Sequence, residues 1–489
     1  MRQPPVAVNR PPGRLRQASR VFLSRRLGLE MPLIVLGCAA GATAEPLRRS
    51  VLAFVASGLL VVGSAISLRL GCSMFAVWLI LEGLIRRVVA PGTLAGIDPL
   101  LLVAPIFTLY IYLRLQADRP EVQKTRLVRA VFALQTLCFL SVVNPFGSLR
   151  SDLIGAVVVG VPTAWFQIGS NIPRSTLKTI LTVVQGSAVV VAMYGINQTL
   201  RGFPSWDEAW IERSGYTALH VGTVIRAFST LSNAAEYAAL MGVCVVISIS
   251  KLLSRFSMLS ILALPLCLVA LTLESSRSVL VTTILGSVFV LVVRSGLRLK
   301  WALLVVIPVI IGISSLAGHL LQSDAVAGND LLSHQVSGLS DPTGQGSTLG
   351  LHLTLLQDGL TSAASNPVGA GLGAITSAAG TVGGGTSGTE ADPSNAAVAL
   401  GAPGLLAYLV ILISGIKLAY GSARVQRRWW LAGGLGTLLV LVPQWLNGGQ
   451  YSVVWLPWLI LGYLTQPTSV PAPSATVERS PIPVSYERR

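Results

Sequence analysis

Long apolar stretches, interrupted only briefly by polar residues, dominate the pattern along the chain. A helix needs roughly 20 apolar residues to cross the hydrocarbon core of a bilayer, so each stretch predicts a membrane-spanning helix. The first and last stretches are the weakest, and we expect about 12 to 14 membrane helices. The stretches lie at about 29–46, 50–67, 71–90, 98–114, 127–144, 152–169, 176–195, 233–250, 257–274, 278–294, 301–318, 396–418, 429–447 and 451–465.

The composition narrows the class of protein. Hydrophobic residues make up 52% of the chain and charged residues only 11%, whereas a soluble domain averages about 25% charged residues. These values exclude a soluble enzyme, a disordered chain and a fibrous protein. The apolar stretches are too long for a β-barrel, whose strands alternate in segments of about ten residues. The sequence therefore predicts an all-α polytopic membrane protein.

The basic residues indicate the orientation of the spans. The net charge is +16, and an excess of Lys and Arg in cytoplasmic loops explains it without nucleic acid. If the N-terminus lies inside and the spans alternate, 27 of the 36 basic residues fall on the inner side, while 15 of the 20 acidic residues fall on the outer side. We therefore expect both termini to be cytoplasmic.

Two tails flank the predicted membrane domain, which covers 29–465. Residues 1–28 form a basic tail, and residues 466–489 form a Pro- and Ser-rich tail that we expect to be disordered. The first span resembles a secretory signal near Ala42 and Ala44, but its basic lead is long, so we expect it to remain uncleaved. All five cysteines lie in apolar stretches and form no C-x-x-C pair, which predicts buried thiols.

Two long loops, at about 196–232 and 319–395, both fall on the outer side. Long loops on one face usually carry function. The second loop contains GSTLGLHLTLLQDGL, in which leucines recur at helical spacing. This spacing predicts an amphipathic helix on the outer leaflet. The Gly/Ser/Ala-rich stretch that follows is either a flexible linker or a loop that moves when a large substrate enters. The spaced leucines are Leu349, Leu353, Leu356 and Leu360.

Arginines on the outer side are the main candidates for ligand binding. Arg277 lies between two spans with almost no loop, and Arg226 lies at the mouth of another span. Charged residues so close to the membrane usually face a partner or a water-filled cavity. The alternative for Arg277 is a tight outer turn in which it pairs with Glu274. Several guanidinium groups on one face suit a diphosphate ligand, because their forked donors match phosphate oxygens.

Arg86 and Arg87 end the third span in LILEGLIRRVVAPG. They are further candidates for diphosphate binding. Glu82 precedes Arg86 by one helical turn, so a structural i,i+4 ion pair is an alternative. Long basic side chains can also extend to the interface.

Candidate acids and bases lie in the second outer loop. Glu390 and Asp392 are the nearest acidic pair; they could hold a divalent ion, but carboxylates in a polar loop are more often solvated, so we expect no metal. His352 lies on the predicted amphipathic helix and could act as a general base or simply face solvent. The other histidines are also on the outer side; they are His220, His319 and His334.

Four stretches of 75–465 resemble a known family by their order and spacing. They are LEGLIRRVVAPGTLAGIDPLL, then GFPSWDEAWIERSGYTALHVGTVIRAFSTLSNAAEYAAL, then SSRSVLVTTILG, and finally GLHLTLLQDGLTSAASNPVGAGLGAI with DPSNAAVALGAPGLLAYL. In these stretches the chain resembles the bacterial O-antigen polymerase and O-antigen ligase superfamily, the Wzy-type exopolysaccharide polymerases in particular. The resemblance implies a GT-C-like architecture in the bacterial inner membrane.

The resemblance also implies roles for individual residues. Arg226 and Arg277 match the arginines that hold the diphosphate of an undecaprenyl-diphosphate-linked glycan. His352 and the loop at 390–395 match the region that meets the acceptor, which places Asn395 there. The ligase branch has a His-Asn pair before the G-x-x-G of the next span, and here Glu390, Asp392 and Asn395 precede Gly401 and Gly404. This departure disfavours a ligase.

We therefore expect a metal-independent integral-membrane glycosyltransferase that needs no cofactor. It would join lipid-linked repeat units into exopolysaccharide or O-antigen on the periplasmic face. Its partners would be the lipid-linked donor and acceptor glycans and membrane lipids, with a chain-length regulator and a flippase as further candidates. Two alternatives stay open: an O-antigen ligase, and a transporter for lipid-linked sugars. A transporter should show broken helices and ionisable residues near the middle of the membrane.

Overall fold

The chain is almost entirely helical in the part that the structure describes. That part of the computed structural model comprises residues 45–89, 98–116, 125–214, 219–221, 224–297, 349–376, 391–449 and 451–466, with isolated helical positions between 304 and 340. Within it, eight helices are long and apolar enough to cross a membrane, and four apolar helices are shorter. The prediction of an all-α polytopic membrane protein is confirmed. Most of the predicted span at 29–46 and most of the one at 301–318 lie outside the described residues.

Fifteen α-helices and one hairpin follow one another in the described ranges. The two strands, β1 (His220–Val221) and β2 (Val224–Ile225), pair antiparallel. The helices are α1 (Glu45–Ile66), α2 (Leu68–Val89), α3 (Val103–Gln116), α4 (Arg126–Leu140), α5 (Leu149–Gly155), α6 (Trp165–Asn171), α7 (Arg174–Arg201), α8 (Ser205–Ser214), α9 (Ala234–Leu252), α10 (Met258–Glu274), α11 (Arg277–Ser295), α12 (Leu349–Ser365), α13 (Asp392–Gln426), α14 (Trp429–Val440) and α15 (Trp455–Leu464).

Helices α9 and α14 form the centre of the bundle. α14 is buried along its whole length, and α9 packs against α7, α10, α11 and α14. Glycines allow the helices to approach closely: Gly436 of α14 faces Val246 of α9, and Gly462 of α15 lies against the carbonyl of Phe166 in α6. Small residues at such contacts are typical of helix packing in membranes, where backbones gain contact by close approach.

Helix α13 is broken near its start by Gly401, whose φ is +65°. The break frees carbonyls that would otherwise bond within the helix, and Val398 O and Ala399 O accept hydrogen bonds from Ala370 N at 2.8 Å and Gly371 N at 3.0 Å. A loop thus supplies the donors that the helix lacks. A second interruption lies between α5 and α6, where a π-helical turn and a 3₁₀ turn replace regular helix.

The beginning of the Gly-rich stretch after α12 is fixed to the bundle. Gly373 N donates to Asp152 Oδ1 at 2.8 Å, and Asn144 Nδ2 donates to Gly369 O at 2.9 Å. Residues 366–376 therefore do not form a flexible linker. The rest of the stretch, 377–390, lies outside the described residues, so the alternative of a moving loop stays a prediction there.

The helix predicted from the spaced leucines is present as α12. It packs against α13 through Gly359, which lies against Ser394. Two of the spaced leucines point away from the bundle, since Leu353 is 56% and Leu360 38% exposed. α12 therefore presents leucines outward while its glycine faces α13. Its location on the outer leaflet stays a prediction.

The side-chain contacts sort the helix ends into two groups. We call the first the ion-pair end, because it holds all four ion pairs between described residues: Arg49–Asp98, Arg86–Asp98, Arg87–Asp207 and Arg226–Glu274. We call the other the Trp430 end; it includes Lys178, Arg294, Arg428 and Trp430. Helices α7, α9 and α11 run between the two. This grouping agrees with the alternation deduced from charge, and which end faces the cytoplasm stays a prediction.

Candidate functional site

Two of the predicted ligand-binding arginines meet at the turn between α10 and α11. Arg226 donates through Nε to the carbonyl of Glu274 at 3.1 Å and through its terminal amino group to the carboxylate of the same residue. Arg277, three residues later, is half-buried and close enough to Arg226 for their charges to interact. Two guanidinium groups thus lie near the same turn, and Arg226 is the one that pairs with Glu274.

The turn that carries Glu274 and Arg277 is very short. Ser275 adopts a left-handed conformation with φ of 70°, and α11 begins at Arg277. The N-terminus of a helix carries a partial positive charge, because its first N–H groups have no partner within the helix. This partial charge adds to those of the two guanidinium groups and favours an anion at the turn.

A rigid loop holds Arg226 in position. Arg226 N donates to Leu219 O at 2.7 Å across the hairpin. The loop after it is anchored by Gln198, whose Oε1 accepts from Phe228 N at 3.2 Å and Ser229 N at 2.7 Å. Thr230 Oγ1 donates to a carbonyl of α2 at 2.7 Å. The side chain of Arg226 is 16% exposed. It is therefore held in place but still accessible to a ligand.

Arg87 lies beneath this loop and is fully buried. Its Nε donates to Asp207 Oδ1 at 2.6 Å, and both side chains are 0% exposed. The remaining guanidinium nitrogens donate to the carbonyls of Ser229 and Leu231, and the group stacks over Phe228 with 4.8 Å from Cζ to the ring centroid. Protein groups occupy every guanidinium nitrogen of Arg87, which argues against the predicted diphosphate contact and for a role in holding the loop.

Arg86 and Arg49 share one carboxylate, that of Asp98. Its Nε donates to Asp98 Oδ2 at 2.8 Å, and Arg49 donates to the same oxygen at 3.0 Å. Asp98 also caps the 3₁₀ turn that follows it by accepting from Leu100 N. The alternative ion pair between Arg86 and Glu82 is not formed. Arg49 was not among the residues that the sequence singled out.

The described part of the predicted acceptor region is buried. Asp392 is 0% and Asn395 3% exposed. Asp392 Oδ2 accepts from Tyr408 Oη at 2.8 Å and from Leu446 N at 2.9 Å. In this arrangement an acceptor hydroxyl has no access to Asp392, which argues against its predicted role as a base. His352 lies on α12, but its side chain and all of Glu390 lie outside the described residues.

The hairpin reveals one residue that the sequence reasoning did not select. His220 pairs with Ile225, the residue before Arg226, and its side chain is exposed. The available signal was the β-branched residues Val221, Val224 and Ile225 on either side of Gly222, since such residues around a glycine are typical of a tight hairpin. Among the described residues, no group of three His, Cys, Asp or Glu side chains is arranged to hold a metal ion.

No family model matches the chain, and no curated protein matches it either.

Proposed function

We propose that this protein polymerises undecaprenyl-diphosphate-linked oligosaccharide repeat units by glycosyl transfer at the outer face of the bacterial inner membrane. The observation that carries the proposal is the proximity of Arg226 and Arg277 at the turn that follows Glu274. Arg226 and Glu274 are 48 residues apart in the chain, yet they lie at one end of an apolar helical bundle. A lipid diphosphate presents its charge at that level, and guanidinium groups match its oxygens.

The two arginines would act on the leaving group. Breaking the bond between the glycan and the lipid diphosphate places negative charge on the diphosphate. Arg226 is already oriented by Glu274 and by the anchored loop, so it needs little rearrangement when that charge develops. Preorganised donors in a poorly hydrated site lower the barrier in this way. Guanidinium groups would supply the positive charge that a metal ion supplies in other transferases.

The acceptor would be the hydroxyl of the next lipid-linked repeat unit. We retain His352 and Glu390 as candidates for the base that takes its proton, and we leave Asp392 out because it is buried. α12 carries His352 and packs on the first turns of α13 through Gly359 and Ser394. Asn395 lies one residue after Ser394, so we assign it to positioning within the acceptor region.

Substitution of the two arginines tests the proposal. In a strain that lacks the native gene, Arg226→Ala and Arg277→Ala variants should reach normal abundance but leave single lipid-linked repeats unpolymerised. Arg201→Ala is the matched control, because Arg201 is exposed at the end of α7 on the same side. Polymer length on gels and the amount of lipid-linked single repeat are the readouts. Full-length polymer from both arginine variants at normal abundance would exclude this mechanism.

A transporter for lipid-linked sugars is the second candidate. The break at Gly401 and the interrupted segment between α5 and α6 favour it, because transporters build substrate sites from broken helices. The location of the accumulated repeats in a deletion strain separates the two functions. Repeats on the outer leaflet support the polymerase, and repeats retained on the inner leaflet support the transporter.

A further inference from the structure

Three basic side chains surround one tryptophan at the Trp430 end. Lys178 Nζ lies 3.9 Å from the centroid of the Trp430 ring. The guanidinium carbons of Arg174 and Arg428 lie 5.9 Å and 5.8 Å from it. Arg174 and Lys178 belong to the first turns of α7, and Arg428 is the N-cap residue of α14. Two helices thus bring three cations to one aromatic ring.

No carboxylate balances these three cations among the described residues. All four ion pairs in that part of the chain lie at the ion-pair end. Contact with the face or edge of an aromatic ring offsets only part of the repulsion between like charges, since an exposed cation–π contact is worth little. An anion that reached all three groups would remove that repulsion.

The indole of Trp430 provides an independent indication of a ligand. Its Nε1 is buried and has no hydrogen-bond partner, and the residue as a whole is only 5% exposed. A buried N–H without a partner is unfavourable, and tryptophans at membrane interfaces usually direct this group to a polar partner. The ring that carries this unmet donor is the one that the three cations contact.

An apolar cavity of about 390 Å³ lies beside the loop that joins α13 to α14, which contains Arg427 and Arg428. Arg294 borders the cavity and donates to the carbonyl of Arg427, the residue before Arg428. The remaining lining is mostly aliphatic and comes from α11 and the end of α9: Leu253, Val288, Leu291, Val292, Ser295 and Leu297. Cationic and aliphatic surfaces therefore adjoin at the level where apolar helices end.

We propose that the Trp430 end binds the phosphate headgroup of an anionic phospholipid, with Arg174, Lys178 and Arg428 around the phosphate and the Trp430 N–H as a further donor. Phosphate oxygens suit both ammonium and guanidinium donors. The site favours a lipid over a soluble phosphate, because it lies at the ends of membrane-spanning helices next to an aliphatic cavity. Basic residues near a membrane surface each strengthen binding to anionic lipid.

Thermal unfolding of the purified full-length protein in detergent tests this site. We expect phosphatidylglycerol to raise the midpoint saturably and phosphatidylcholine to do so weakly. A Lys178→Gln/Arg428→Gln variant should need about thirtyfold more phosphatidylglycerol for half of the effect, on the order expected for two lost basic contacts. Trp430→Phe keeps the ring but removes the N–H, and should cause a smaller shift in the same direction.

An Arg201→Gln/Arg213→Gln variant is the control. It removes the same charge from two exposed residues away from the site, and it should titrate like the unaltered protein. Equal responses to the two lipids, or an equal loss in the control, would overturn the proposal.

Glycerophosphoglycerol, the headgroup without acyl chains, should have no effect; if it matched the lipid, a soluble phosphate would be the ligand. Native mass spectrometry of the unaltered protein should show bound phosphatidylglycerol in preference to phosphatidylcholine, which tests the site even if a variant fails to fold.

Discussion

Arg226 donates to both the main-chain carbonyl and the carboxylate of Glu274, the last residue of α10. One acidic residue therefore fixes the guanidinium group of Arg226 beside Arg277. Glu274 is fully buried, whereas Arg226 retains some exposure. In this geometry an anion could reach the guanidinium group of Arg226 from solvent, while the carboxylate of Glu274 that orients it stays buried.

Substitution of Glu274 should weaken both stability and activity. A Glu274→Gln change keeps the shape but removes the charge that orients Arg226, and we expect a loss of about 2 kcal/mol from a buried charge-assisted contact. The length of the polymer should fall by a larger fraction than the abundance of the variant protein. Thermal unfolding and polymer length are the measurements. A Glu274→Gln/Arg226→Met double variant should be less destabilised than the sum of the two single variants, since the pair interacts directly; simple additivity would contradict the pairing.

Replacement of Arg87 should act on folding. Arg87→Ala leaves Asp207 buried without its partner, and removing one member of a buried ion pair costs about 3 to 5 kcal/mol. We expect low abundance, whereas Arg277→Ala should be stable and inactive. Immunoblotting of membranes together with polymer assays would separate the two effects. Normal abundance of Arg87→Ala with lost activity would instead indicate that Arg87 contacts the substrate.

A Gly401→Ala substitution should destabilise the backbone conformation that breaks α13. The added Cβ would come within 2.0 Å of the carbonyl oxygen of Pro367, and a φ of +65° is unfavourable for alanine. We expect destabilisation of more than about 1 kcal/mol, measured by thermal unfolding. Gly421→Ala is the control in the same helix, because nothing lies within 4 Å of its added Cβ; alanine there should be neutral or slightly stabilising.

Asp392, which we exclude as the base, and His352, which we retain, should respond differently to substitution. Asp392→Asn keeps one oxygen that can accept from Tyr408 Oη and Leu446 N but removes the basic carboxylate, so we expect near-normal abundance with activity per molecule retained. His352→Ala should abolish polymerisation at unchanged abundance if the imidazole accepts the proton of the acceptor hydroxyl. Activity normalised to the amount of protein in membranes distinguishes these outcomes. An abundant but inactive Asp392→Asn protein would restore Asp392 as the base.

Local patterns in the sequence predicted the helices well. The apolar stretches located twelve helical segments in the described part, and the spaced leucines located α12. Such features depend on residues close together in the chain. Charge asymmetry also grouped Arg86, Arg87, Arg226 and Arg277 on one side, and the contacts bring them to the ion-pair end.

Contacts between distant residues could not be predicted in this way. The i,i+4 rule favoured Glu82 as the partner of Arg86, but the folded chain supplies Asp98 instead. Arg87 pairs with Asp207, 120 residues away. Burial of Asp392 depends on Tyr408 and the chain near Leu446, and nothing in the sequence around Asp392 indicates these contacts.

The Gly401 break has a mechanical consequence for the start of α13. The carbonyls of Val398 and Ala399 are bonded to the loop at 370–371 rather than to their own helix, and Gly373 of that loop is bonded to Asp152. The first turns of α13, including Asn395, are therefore tethered to the segment that contains α5. A tilt of that segment would therefore be transmitted through these hydrogen bonds to the turns of α13 that precede Gly401.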